Sequence, residues 1–263
     1  MTIDLHQLKN FLIHYFKSSR GGHGVHSPFA YALCEEVFYN KNGFYDFERF
    51  RKAREELLKS DTVLRIEDFG AGSRKLDSDK RKISEIAAHG ISKQKQSELL
   101  YRLINYLNPK TIIELGTSLG LNTLYLAGAE KKADVFSIEG SPELVRFARE
   151  LLREQKLNCE VIEGKFDDKL PELLNRIDSL DLLYVDGNHT YEATVKYFKM
   201  ALQKKNNDSV FIFDDIYWSI GMTRAWEEIK NDPAVTMSID TFHMGFAFFK
   251  QEIKKRTELR FYI

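Results

Sequence analysis

Cysteine and proline are scarce, charge of either sign is not in excess, and long apolar runs are missing. The 263 residues include two cysteines and five prolines. Cys34 and Cys159 stand far apart, with neither a disulfide framework nor a metal-type spacing, so the chain reads as a reduced, cytoplasmic protein. Lys plus Arg equals Asp plus Glu, 39 of each. That balance leaves no basic surplus for nucleic acid or an anionic membrane surface. No apolar stretch approaches the roughly 20 residues of a membrane span. The start of the chain carries Asp4 and His6 and does not read as a secretory signal. Repeats and low-complexity tracts are absent as well. What remains is a chain that is 43% hydrophobic, enough for a large core, at a length suited to one α/β domain with an extension.

The stretch Thr111–Thr123 organises the rest. Thr-Ile-Ile-Glu-Leu is short, apolar and rich in β-branched residues, so it predicts a buried strand. Gly116 and Gly120 come next, and then an apolar helix through Leu124, Leu126 and Ala127. A strand, a glycine turn and a helix N-terminus bring a close backbone approach and unpaired N–H groups to one place. A glycine loop alone often serves turn geometry only. Here Val135–Ile138 predicts the next strand, and it ends in Glu139. An acid about 20 residues past the loop is placed to bond a ribose diol.

Upstream, Leu5, Leu8, Leu12 and Tyr15/Phe16 fall at helical spacing. This predicts an amphipathic helix over residues 4–17, suited to a partner surface such as a second copy in a homodimer. Ser27-Pro28 starts a further helix, and another runs from Asp46 to Lys59. His23 and His26 in their glycine-rich loop read as local hydrogen-bonding groups, with a substrate lid as the functional alternative. Gly70-Ala-Gly72-Ser-Arg74-Lys75 resembles a nucleotide loop, but the charged stretch after it lacks the apolar helix such a loop needs. It reads as a basic loop. Ser92 is placed to cap a helix ending at Asn108-Pro109.

From Thr111 onward strands and helices alternate: strands near 111–115, 134–138, 159–162, 181–185 and 209–213, each followed by a helix. Alternation of this kind implies a parallel sheet covered on both faces. The runs Val235–Thr241 and Gly245–Lys250 are joined by only three residues, which requires an antiparallel pair. The prediction is a Rossmann-like α/β fold with a mostly parallel, seven-stranded sheet ending in an antiparallel hairpin. Residues 1–91 read as a helical extension with a basic loop, and residues 92–263 as the cofactor-binding domain.

Ligands of open α/β sheets sit at the carboxyl ends of the strands. Those ends carry Glu114, Glu139, Asp186 and the pair Asp214-Asp215. Glu163-Gly164-Lys165-Phe166 succeeds the third, where Gly164 and Phe166 can border an adenine ring. A single acid there would be a helix cap. Three carboxylates on one rim repel one another unless a hard divalent cation such as Mg²⁺ lies among them. The bland alternative is that Asp214 or Asp215 caps the next helix and Asp186 binds backbone.

These residues resemble the class I S-adenosylmethionine-dependent methyltransferases, and within them the O-methyltransferases of the catechol and caffeoyl-coenzyme-A type. The resemblance covers about Ser92 to Glu228. It is carried by Glu114-Leu-Gly116-Thr117-Ser118-Leu-Gly120, Glu139, Gly164, Val185-Asp186-Gly-Asn-His189 and Phe213-Asp214-Asp215-Ile-Tyr-Trp218. It implies that Glu114, Gly116, Thr117, Ser118, Gly120, Asn122, Glu139, Gly164, Phe166 and Asp186 border S-adenosylmethionine. Asn122 would lie near the methionine carboxylate. It also implies that Asp186, Asp214 and Asp215 hold a divalent metal. The expected activity is O-methylation of a small-molecule hydroxyl.

Two positions depart from the family pattern: Asp215 stands where an Asn is usual, and His189 where a Lys often acts as base. Histidine titrates near neutrality and can take the proton, which opens a metal-independent alternative with His189 and Asp186 as the catalytic pair. Trp218, Tyr217 and aromatic residues of the first helices are the expected walls of an apolar acceptor site. A nicotinamide-dependent oxidoreductase would want a third glycine where Thr117-Ser-Leu stands. A cofactor-binding module without catalysis is the alternative from another class.

Overall fold

The structure, a computed structural model, describes residues 4–19, 25, 27–66, 80–89 and 93–263. His23, His26, the 70–75 loop and Ser92 lie outside the described residues. In chain order the elements are α1 (Leu5–Lys17), α2 (Pro28–Leu33, continued by a π turn over Cys34–Phe38), α3 (Tyr45–Leu58), β1 (Val63–Arg65), β2 (Lys80–Lys82), α4 (Ile83–His89) and α5 (Gln94–Leu107). Then come β3 (Thr111–Leu115), α6 (Leu121–Ala129), β4 (Asp134–Glu139), α7 (Pro142–Glu154), β5 (Glu160–Glu163), α8 (Phe166–Arg176), β6 (Leu180–Val185) and α9 (Tyr191–Ala201). The last are β7 (Lys205–Asp214), α10 (Ile220–Asn231), β8 (Met237–Asp240), β9 (Met244–Phe248) and β10 (Thr257–Arg260).

Eight strands, β3 to β10, make a mixed, mostly parallel sheet, and β1 with β2 makes a separate antiparallel hairpin. The chain divides into two compact units, residues 41–176 and residues 1–40 with 177–263. In the first unit, β3, β4 and β5 run parallel, with Leu115 opposite Ile138 and Ile138 opposite Ile162. Ile112, Ile113 and Leu115 are fully buried, and every residue of α6 is buried. A strand covered on both faces needs a continuous apolar run rather than alternation, which is why Thr111–Leu115 is legible from composition alone. Asn108 ends α5 in a left-handed turn at φ 50°, a conformation asparagine tolerates well.

In the second unit, β6 and β7 are parallel, and β9 runs antiparallel to both β7 and β8. The expected hairpin is therefore β8–β9. The sheet has one strand more than expected: β10 pairs in parallel with β8, Thr257 opposite Met237. Thr-Glu-Leu-Arg is too short and polar to signal a strand. The next residue, Phe261, fixes its place, being fully buried against Phe38 and Tyr39.

Helix α1 forms where the spacing predicts, capped by Asp4, whose Oδ1 accepts the His6 N–H. Its leucine stripe is not covered: Leu5 is 78% and Phe16 79% exposed. Polar groups fix the helix instead. His6 Nε2 lies 2.9 Å from Thr223 Oγ1, and the Gln7 amide donates to the Trp218 carbonyl. His14, the buried residue of α1, pairs with Asp240 at 3.2 Å.

Candidate active site

Within residues 41–176, β3 leads into a turn in which Gly116, Ser118 and Gly120 all have positive φ, 106°, 49° and 80°. Gly120 caps α6, and a side chain there would meet Ala148 Cβ at 3.2 Å. The turn is held from the neighbouring strand. Glu139, at the end of β4, accepts the Ser118 N–H with one carboxylate oxygen and the Ser141 N–H with the other, both at 2.9 Å. The Gly164 N–H bonds the Glu139 carbonyl at 2.9 Å. Gly116, Ser118, Gly120, Glu139 and Gly164 thus form one connected rim. Phe166 is half-buried at the first position of α8.

Behind this rim lies Glu114, fully buried. Its Oε2 accepts from Thr123 Oγ1 and Ser137 Oγ, each at 2.6 Å, and Thr117 Oγ1 bonds Ser137 Oγ in turn. Burial pushes the Glu114 carboxyl up to about 7; the two hydrogen bonds oppose that shift, and the charge of Glu139 reinforces it. Glu114 anchors the turn from inside through Oε2, while its Oε1 is buried without a partner. The side chain of Asn122 is buried with both amide atoms unpartnered, and Ser141 Oγ is also buried without a partner. Buried polar atoms without partners are rare in a finished core. They suit a polar ligand at the start of α6 and α7.

Within residues 177–263, the acids gather around a residue that sequence reading passed over. Tyr184, two positions before Asp186 on β6, is fully buried. Its hydroxyl lies 3.2 Å from Asp186 Oδ2 and 3.0 Å from Asp214 Oδ2. Asp186 Oδ1 lies 3.7 Å from His189 Nε2. Asp214 Oδ1 accepts the Asp215 N–H, and Asp215 has φ 54°. Burial lowers the proton affinity of His189, and the charge of Asp214 opposes this; the net shift is below the usual histidine value. Asp186 and Asp214 are linked through the Tyr184 hydroxyl, and His189 stands beside Asp186. Among the described residues, however, no three His, Cys, Asp or Glu side chains converge as a metal cage. Strand alternation puts Tyr184 and Asp186 on the same side, a signal from which the Tyr184–Asp186 contact could have been found.

Trp218 is 39% exposed and available to an acceptor, whereas Tyr217 is buried with its hydroxyl donated to Asp240 Oδ2 at 2.6 Å. Burial raises the Asp240 carboxyl, but hydrogen bonds from His14 and Tyr217 outweigh it and hold the group below its usual value. Tyr217 thus belongs to a structural network and not to an open wall.

Residues 113–216 match a family model described as a methyltransferase domain. A catechol O-methyltransferase of Niastella koreensis is 26% identical over 144 residues, 53% of this chain. The chain spans 63% of the length of that curated relative. Among solved structures, an O-methyltransferase from Bacillus cereus in complex with S-adenosylhomocysteine superposes with a TM-score of 0.58 at 19% identity, covering 84% of this chain and 96% of that one. An O-methyltransferase from Streptomyces achromogenes involved in tomaymycin synthesis, in complex with S-adenosylmethionine, gives 0.56 at 17% identity, covering 84% and 95%. The nucleotide-type rim, the mixed sheet and these likenesses agree: the chain has a Rossmann-like methyltransferase fold, and its residues 113–216 match a methyltransferase domain.

Proposed function

We propose that the chain transfers the methyl group of S-adenosylmethionine to a hydroxyl oxygen of a small molecule. The observation that carries this reading is the connected rim of Gly116, Ser118, Glu139 and Gly164, with the unpaired Asn122 amide and Ser141 hydroxyl beside it. Glu139 offers lone pairs to the ribose diol, Asn122 bonds the methionine carboxylate, and Gly164 and Phe166 border the adenine. Thr117 and Gly120 keep the turn in the shape that admits the ligand.

The sulfonium already activates the methyl group, so the protein positions and deprotonates. The acceptor oxygen attacks the methyl carbon in line with the carbon–sulfur bond. That bond breaks with its electron pair on sulfur, leaving neutral S-adenosylhomocysteine. The hydroxyl proton passes to the His189 ring nitrogen that does not face Asp186, and the lowered proton affinity of the imidazole keeps it free to accept at neutral pH. Asp186, 3.7 Å away, orients the imidazole and offsets its charge once protonated. Trp218 contributes an apolar surface for the acceptor.

The resemblance further implies a divalent cation on Asp186, Asp214 and Asp215. The three do not converge on one point among the described residues.

The test is transfer of label from methyl-labelled S-adenosylmethionine to a panel of hydroxylated aromatic and aliphatic compounds, with and without EDTA. O-methylated product from the wild type, strongly reduced in His189→Ala, supports the reading. Label found only on amines, or no transfer alongside tight donor binding, would favour an N-methyltransferase or a binding module instead.

A further inference from the structure

A hydroxyl group has one proton, and the hydroxyl of Tyr184 faces two carboxylates. It lies 3.2 Å from Asp186 Oδ2 and 3.0 Å from Asp214 Oδ2. The single hydrogen is therefore shared between two acceptors, and it ties together the carboxyl ends of two neighbouring parallel strands, where Val185 stands opposite Phe213. The other two oxygens of the pair face the chain's own groups: Asp186 Oδ1 faces His189, and Asp214 Oδ1 takes the Asp215 N–H. The point at which both acids present an oxygen is the point a hard cation would need to occupy to be held by both. The buried phenol oxygen already stands there.

We infer that Tyr184 is the positioning residue of this acid pair: its hydroxyl closes Asp186 onto Asp214, performs the bridging that a divalent cation would perform, and competes with such a cation for the site. Neutralising two neighbouring carboxylates is what a cation contributes to a bare pair. A shared hydrogen bond meets part of that need with a neutral group, so the gain from binding a cation is reduced. The inference takes Asp186 and Asp214 as the acids of the proposed active site, but it concerns their cation affinity and not turnover.

The experiment is a Mn²⁺ titration followed by the electron paramagnetic resonance of free Mn²⁺, on the wild type, Tyr184→Phe, Asp186→Asn and the double variant. Phenylalanine keeps the ring and removes only the hydroxyl. Tyr184→Phe is expected to bind one Mn²⁺ about tenfold more tightly than the wild type, the equivalent of one charge-assisted hydrogen bond no longer competing. Mn²⁺ is expected to raise the Tm of Tyr184→Phe and to leave that of the wild type unchanged. A tyrosine that only packs would lower Tm with no rescue by Mn²⁺. Adding Asp186→Asn is expected to abolish both effects. Wild-type Mn²⁺ binding as tight as that of Tyr184→Phe, or tighter, overturns the inference. Should Tyr184→Phe fail to fold, the wild type and Asp186→Asn decide it: equally weak binding supports the inference, and tight wild-type binding lost in Asp186→Asn overturns it. S-adenosylhomocysteine titrated into the same samples separates the two readings, because its failure to bind would strike the methyl-transfer proposal and leave the Mn²⁺ comparison standing.

Discussion

Glu139 and Ser118 are joined across the glycine turn: the carboxylate at the end of β4 accepts the backbone N–H of the residue whose φ is 49°. The residue read as a ribose ligand is thus also the brace of the loop that receives the cofactor. Glu139→Ala is expected to remove both functions. S-adenosylhomocysteine affinity should fall by about tenfold or more, and stability by about 1–3 kcal/mol for the two backbone donors left without an acceptor. Titration calorimetry and urea denaturation measure the two losses separately. An unchanged stability would show that the brace carries no energy.

Glu114 gives a pH dependence with a definite sign. Its folded-state value, about 7, lies above the ordinary carboxylate value of about 4.3 in an unfolded chain. Below both values the group is neutral in either state and costs nothing. As pH rises from about 4.3 to about 7, the unfolded state releases its proton first, and folding stability declines, by on the order of 4 kcal/mol in all. Glu114→Gln lacks that slope. The stability of the variant relative to the wild type should therefore increase between pH 4.5 and 7.5 in urea denaturation. Parallel profiles would contradict the assignment.

Gly120→Ala tests the turn from the steric side. The position has φ 80°, and the added methyl would stand 3.2 Å from Ala148 Cβ. Forcing an L side chain into that region costs about 1–2 kcal/mol. The drop should appear as a lower urea midpoint with an unchanged m-value, together with weaker cofactor binding.

His189→Ala separates chemistry from binding. Loss of a positioned general base lowers kcat by about 10²–10⁴-fold, while S-adenosylhomocysteine affinity should stay at the wild-type level. A kcat within a factor of about two of the wild type would remove His189 from the mechanism.

The architecture was legible where local pattern and global place agree. Thr111–Leu115 carries its apolar, β-branched run because both faces are covered, and Ser27-Pro28 and Ser141-Pro142 mark helix starts that the structure contains at α2 and α7. Ser27 does cap, through Oγ to the Ala30 N–H. Ser141 does not: its Oγ is unpartnered, and the Glu139 carboxylate takes its N–H. β10 was illegible because Thr257–Arg260 has no strand signature of its own and depends on pairing with β8. The same holds in the site. Glu114, Glu139, Asp186 and Asp214 could be found by their places at strand ends, because topology fixes those places. The Tyr184–Asp214 contact and the His14–Asp240–Tyr217 network join residues distant in sequence, and such contacts leave no local period to read. The leucine stripe of α1 shows the converse, a clear pattern whose apolar face is exposed in the chain while His6, Gln7 and His14 attach the helix.

The most direct test is calorimetric titration of S-adenosylhomocysteine, with NAD and NADP as comparisons, into the wild type and Glu139→Ala. A site shaped for the methyl donor predicts one S-adenosylhomocysteine per chain at micromolar affinity, weakened about tenfold or more in Glu139→Ala, and no comparable heat from the nicotinamide nucleotides. No binding of S-adenosylhomocysteine to folded wild type, or equal binding of NAD, would contradict it.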